Sequence, residues 1–545
     1  TDGNWSNPAN WIGGIAPANG DTVVLDIQPN VVSPTNVDIA GLTLNTLAFS
    51  NVIVSAGVAA GTRIVGNPLS LNNIVGLKNS APVITNTIAQ NVTFLGSASW
   101  AINVNDMLIF EGVLTATNPN FRVTGSTGTD VRNSRVILLN TNNFARGYGA
   151  NSLGIEFYHP RAVTTQVPAQ PTNAFFAINY GGLMFNTPPD RYYKYVINAN
   201  CGFFTGNGVG LRPMGSSKVI FSGIISDSGN NGVTRAGNGY MMVLAPSNAF
   251  TGNFSSSPAI GNNGGITRAM GDYSFGLPLA ARFVRVGDGN SYDLNGYGST
   301  KDFQHYDGGY SIRNYNLANV STCSASALLN FGGTLRTLFA GPGDIVWAGN
   351  IITGSTSLSR GTLMKGGCGT LTFQGESHFT NWVAVRGGTL VLDYRFNNNS
   401  KLARLFNMTN ALAVRGAVEF IGNNDADTVE YVTDIDTTEN SVPNNSRSSL
   451  GPGSIKITTG TGRNFTLAAT RITRQSGFDG CVPVDVSFAE TGGGAAAVTV
   501  SAMADGPLGG KFTVNQNTFA TISGGAVAGL PNGAYSTAFP GSNAG

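Results

Sequence analysis

The residues able to do chemistry are few and mostly acidic. Asp425, Asp427, Glu430, Asp434, Asp436 and Glu439 crowd one short stretch. Oxygen-rich loops of this kind hold Ca2+, which makes Asp425 and Asp427 candidate metal ligands. A second stretch, Asp288-Gly-Asn290-Ser-Tyr-Asp293, offers Asp288, Asn290 and Asp293. Neither follows the spacing of an EF-hand loop, and a solvated acidic loop is the alternative for each. Calcium is the one cofactor suggested, and none is required. The three histidines, His159, His305 and His378, are far apart and form no metal or catalytic motif. Glu111, Glu156, Glu376, Glu419 and Glu490 are scattered, whereas glycosidases need paired carboxylates. No nucleophile elbow or phosphate loop occurs. No catalytic residue is assigned, and the chain is expected not to be an enzyme. A polysaccharide-active β-helix stays as an alternative, because winding gathers distant residues.

Tyrosines form the second constellation. Tyr192 and Tyr193 fall in a Pro-bearing segment, and Tyr292, Tyr297, Tyr306 and Tyr310 fall among Gly, Asp and Asn. Tyrosine offers contact area at small entropic cost. These six are therefore candidate partner contacts, toward another copy of the chain or a surface glycan. Packing beside the core is the competing expectation.

The elements that must position these residues are strands. Leu371 and Phe373 alternate with threonines, and Leu390 and Leu392 follow the same rule. A period of two puts one apolar row on one face. Similar short runs recur from Thr22 to Ser501, punctuated by Gly, Asn and Ser. Ser400–Asn407 is the one helix candidate. Of 545 residues only 11% are charged, 73 are Gly and 41% are hydrophobic. Ordinary soluble domains carry about 25% charged residues and about 7% Gly. The composition implies an all-β chain, rich in turns, with ample core. A net charge of +2 without a basic cluster argues against a nucleic-acid partner. No apolar run is long enough for a membrane helix. Cys201, Cys323, Cys368 and Cys481 form no CxxC motif, and Cys323 and Cys368 are the nearest pair.

One pattern repeats. Leu108-Ile-Phe-Glu-Gly112-Val-Leu matches Val219-Ile-Phe-Ser-Gly223-Ile-Ile and Ile345-Val-Trp-Ala-Gly349-Asn-Ile. In the first two an Asn and a Phe follow, Asn143-Phe144 and Asn248 with Phe250. The repeats divide the chain into an N-terminal cap with first coils (1–107), three repeat units (108–218, 219–344 and 345–440) and a C-terminal strand region (441–545). Trp5 and Trp11 suit a lid over the first coil, whose core would otherwise meet water.

The stretch 366–392 resembles the autotransporter-associated β-strand repeat of secreted bacterial passengers. Gly367, Gly369, Leu371, Phe373, Gly375, Phe379, Val383, Val385, Gly388 and Leu390 fall on its pattern. His378 replaces the usual Asn, and Asn381-Trp382 replaces the usual Gly-Thr. The opening around Trp5 and Trp11 resembles the start of such passengers, and Ala504–Thr521 resembles a segment common in long ones. The resemblance implies an elongated parallel β-solenoid, in right-handed β-helix form, with loop insertions. It also implies a secreted or cell-surface location, and the missing leader is read as a signal already removed. The function expected is structural: self-association into a surface layer, filament or fibre. An adhesin acting through the Tyr-rich insertions is the alternative.

Overall fold

The computed structural model is all-β and describes residues 2–531, leaving out 27–33, 51–60, 78–83, 97–98, 103–105, 117–121, 126–134, 142, 146–147, 152–153, 161–173, 180–181, 198–201, 206–208, 228, 230, 258–264, 288–289, 308–309, 325–328, 332–335, 354–361, 379–382, 403–410, 437–451, 474–482 and 509–511. Two compact units result. One comprises Thr1–Thr267 with Tyr273–Arg282, the other Arg268–Asp272 with Phe283–Gly545.

In the first unit the chain passes repeatedly between parallel sheets. Arg63–Gly66, Ile84–Ile88, Asp106–Phe110, Arg135–Leu138, Gly154–Phe157 and Gly182–Phe185 are successive neighbours in one sheet. Between visits the chain adds one or two strands to a second sheet, which begins Thr22–Asp26, Thr43–Ser50, Leu69–Leu77. Each return takes about 19–29 residues, a crossover length that parallel pairing demands. Strands from the second sheet occupy the place that helices take in α/β folds.

The in-register stacking follows from the alternation. Ile88, Phe110, Leu138, Phe157 and Phe185 lie one above the next, all buried. Phe157 and Phe185 stack with centroids 5.8 Å apart. In the second unit the row is Cys323, Trp347, Phe373, Leu392, Phe420 and Ile457. Burying one such side chain stabilises by about 1.5–3 kcal/mol, so the stability of each unit sums along its rows.

The repeated motif has a mechanical meaning. Asn143 Oδ1 accepts the Leu114 N–H at 2.9 Å, and Asn248 Oδ1 accepts the Ile225 N–H at 2.9 Å. In each case the Asn of a later turn stitches the residue two places beyond the motif glycine. The third copy departs: Ile351 N–H donates to the Glu376 carbonyl, and Asn350 Oδ1 takes the Glu376 N–H. Asn91 and Asn464 make the same kind of bond, to Val113 and Ala495. A high Asn content thereby satisfies backbone donors at corners, where no ladder partner exists.

Corners also explain two glycine positions. Gly367 and Gly388 adopt φ of 69° and 63° and stack on one another. Lys365 lies beneath them, with Nζ donating to the carbonyls of Gly366, Gly367 and Gly387 at 2.7, 3.2 and 3.2 Å. Burial pulls that ammonium down to about 8.

Of the helix candidate, residues 403–407 lie outside the described set, and Lys401 and Leu402 form a bend. Among the described strand pairs, the antiparallel ones all fall at the end of the second unit. There Thr518–Ser523 pairs with Phe512–Val514, Gly506–Pro507 and Ala526–Gly529.

Candidate functional site

The first unit starts with a pinned cap. Trp5 is fully buried, and its Nε1 donates to the Pro34 carbonyl at 3.0 Å. Trp11 meets it edge-on at 5.6 Å and donates to the Trp5 carbonyl at 2.8 Å. Asp2 gathers the Asn4 N–H and the side-chain amides of Asn4, Asn7 and Asn10. These bonds hold its carboxyl down at about 2. Asp38 accepts the Ser6 hydroxyl and N–H and is lowered likewise.

Beside the cap runs a groove. Strand Thr22–Asp26 pairs with Thr43–Ser50, and no other described strand pairs with it. All five of its residues line a cleft of about 360 Å³, with Trp11, Ile12, Ile15, Pro17 and Pro34 on the other walls. Ile12 and Ile15 are exposed by 107% and 77%, and Val24 by 48%. A sheet edge presents backbone donors and acceptors to an incoming strand, and apolar flanks add burial. Such a groove can extend a sheet with a further strand.

The second unit holds a buried acid cluster. Alternation in Thr428–Asp436 would turn Val429 and Tyr431 inward. The structure does the reverse, with Val429 and Tyr431 outside and Thr428, Glu430 and Val432 buried. The cause is the set of donors around Glu430. Ser400 Oγ reaches it at 2.5 Å and the Lys401 and Leu402 N–H groups at 2.7 and 3.3 Å, and the Tyr394 hydroxyl also donates to it. Taking a carboxylate out of water costs several kcal/mol, and these bonds offset part of it. Burial still raises its pKa, against the pull of the bonds. Burial and the Glu430 charge push the Tyr394 hydroxyl well above its ordinary value. Lys401 beside it is lowered to about 8 by burial.

The sequence candidates separate. Asp425 and Asp427 are exposed, and Asp427 binds the N–H and side-chain amide of Asn464 at 2.8 and 3.2 Å. Asp293 is buried and engaged by Arg268 Nε at 2.6 Å and by the N–H groups of Asn295 and Tyr315. Asn290 is buried, and Asp288 lies outside the described residues. Among the described residues no three His, Cys, Asp or Glu side chains converge as a metal site. Glu156 is buried against Arg135 at 2.9 Å. Glu111 and Glu419 pair with Arg63 and Lys456.

Tyr292 belongs to the core. It is fully buried and donates to the Arg285 carbonyl at 2.8 Å, because alternation in Ser291–Asp293 points it inward. Tyr297 is exposed at a turn. Tyr192 is exposed and meets the exposed Tyr240 edge-on at 6.5 Å, while Tyr193 is half-buried against His159. Tyr306 and Tyr310 lie on strands Asp302–Asp307 and Tyr310–Arg313, and their side chains are outside the described set. Cys323 is a buried free thiol pushed up to about 12, and Cys368 is a free exposed one. Cys201 and Cys481 lie outside the described residues. No helix among the described residues is long and apolar enough to cross a membrane.

Sequence reasoning missed the groove and the burial of Glu430, which it had grouped with solvated acids. Ile12 and Ile15 are apolar residues in a Gly-rich turn, a placement that signals contact. Glu430 carried no signal beyond its position between two apolar neighbours. Comparison with known proteins finds no matching family model, no similar curated protein and no similar solved structure.

Proposed function

We propose that the chain is an architectural, exported β-solenoid that associates with copies of itself, using the groove beside Thr22–Asp26 as a contact. The observation that carries this reading is the combination of an edge strand with exposed Ile12, Ile15 and Val24. A net charge of +2 on 545 residues supports it, since self-repulsion is weak. Winding into a solenoid is supported by the repeated passage between parallel sheets, and right-handedness by the general chirality of parallel crossovers. The strand-repeat kinship is supported by strands Thr370–Phe373, Val383–Val385 and Thr389–Asp393, which lie where that pattern requires them.

A second reading, an adhesin, draws on Tyr192 and Tyr240, two exposed rings side by side. Negative-stain electron microscopy of the purified chain, with and without EDTA, separates the readings. Self-association predicts ordered sheets, tubes or filaments, and their loss on chelation would restore calcium at the acidic loops. Single particles at every concentration, with glycan binding abolished by Tyr192→Ala, would favour the adhesin.

A further inference from the structure

We infer that Lys401 and Asn397 are the two halves of an intramolecular isopeptide cross-link. Lys401 is 1% exposed. Its Nζ donates to Asn397 Oδ1 at 2.6 Å, to the Gln374 carbonyl at 2.9 Å and to the Asn397 carbonyl at 3.4 Å. It also sits 5.2 Å from the centre of the Tyr394 ring. None of the described ion pairs includes it. The three oxygens and the ring face favour the ammonium, whereas removal from water disfavours it and outweighs them. Desolvation accordingly lowers it to about 8, with Glu430, Asp393 and Glu376 pulling the other way. An appreciable share is therefore a free amine in mildly basic solution, and amines are nucleophiles.

The electrophile is in place. The amide carbon of Asn397 lies one bond beyond the oxygen that Nζ already touches. Asn397 Nδ2 donates to the Gln374 carbonyl at 2.8 Å, which fixes the plane of the amide. Holding two groups in such proximity replaces a bimolecular encounter with a local one. In the step, the Lys401 Nζ lone pair forms a bond to Asn397 Cγ, and the Cγ–Nδ2 bond breaks. The leaving nitrogen takes the proton given up by the amine and departs as ammonia. No oxidant or reductant is needed. The product is a lactam spanning the five residues from Asn397 to Lys401, which closes the bend after Tyr394.

Glu430 is a positioning residue here. It binds the N–H groups of Lys401 and Leu402 and the Ser400 hydroxyl, and so holds the bend that brings Nζ onto Asn397. The inference is independent of the self-association reading.

Mass spectrometry of the intact wild-type chain tests it. The expected mass is below that of the sequence by one ammonia, about 17 Da. Tandem spectra should place the loss between Asn397 and Lys401, and trypsin should fail to cut after Lys401. The loss should survive mild base, which reopens a succinimide at any other Asn. Lys401→Arg and Asn397→Ala should restore full mass, and Glu430→Gln should slow bond formation several-fold in a time course. A wild-type chain of full sequence mass overturns the inference, and so does a loss mapped elsewhere or reversed by base. The decisive readings come from the wild-type protein, so a misfolded variant does not spare it.

Discussion

The start of the first unit and the end of the second solve the same problem in opposite ways. A parallel stack leaves backbone groups exposed at its last strand. In the second unit Thr518–Ser523 turns back, pairs antiparallel with three neighbouring segments and buries Ala520 and Ile522. In the first unit the cap folds Trp5 over the core but leaves Thr22–Asp26 beside an apolar groove. One end is closed by its own chain. The other is closed over its core, and among the described strands its edge strand has a single neighbour. On the self-association proposed above, the first arrangement protects against aggregation and the second provides for assembly.

The largest test acts on the cap. Trp5→Ala should remove about 3–5 kcal/mol from the first unit, read as a lowered thermal midpoint with the second unit's transition unchanged. Equal loss in both transitions would contradict independent ends. Ile522→Ala should cost the second unit about 2–4 kcal/mol, read by urea unfolding. If instead the first unit's transition moves, the hairpin is not the closure described.

Glu430→Gln comes next. It places an amide donor among groups that already donate, and should cost about 1–3 kcal/mol, measured by chemical denaturation. An unchanged midpoint would mean the buried acid holds nothing.

Acid gives a smaller effect, confined to the open end. Asp2 and Asp38 are lowered in the folded state, so their contribution is complete above about pH 4 and fades as pH falls toward 2. Tryptophan fluorescence should report loosening of Trp11 in that window, before the C-terminal hairpin changes. A signal lost near pH 6 would assign it to other groups. Val24→Lys should be smallest in stability, within about 0.5 kcal/mol, yet it should weaken association more than any other substitution named here.

Much of the fold was legible. Alternation located Thr370–Phe373 and Thr389–Asp393 to within a residue or two, because each turns an apolar row into the core. The repeat was visible as letters, but its meaning, an Asn stitching the turn before it, required the register. Two kinds of residue were misread. Tyr292 was grouped with its neighbouring tyrosines when its own strand turned it inward. Glu430 was grouped with exposed acids, although its donors come from Tyr394, Ser400, Lys401 and Leu402, some thirty residues earlier. Long-range partners of that kind leave no local mark. The groove escaped notice because Trp11 was assigned to the lid alone, whereas it serves the lid and the groove wall together.

The central claim is that the edge of Thr22–Asp26 receives another copy. Amide hydrogen exchange of the peptide covering this strand, at low and at high protein concentration, addresses it most directly. The account predicts slower exchange there as concentration rises, with Thr518–Ser523 unchanged, and no such slowing in Val24→Lys. Exchange that is the same at both concentrations, or protection appearing at the C-terminal hairpin instead, would contradict it.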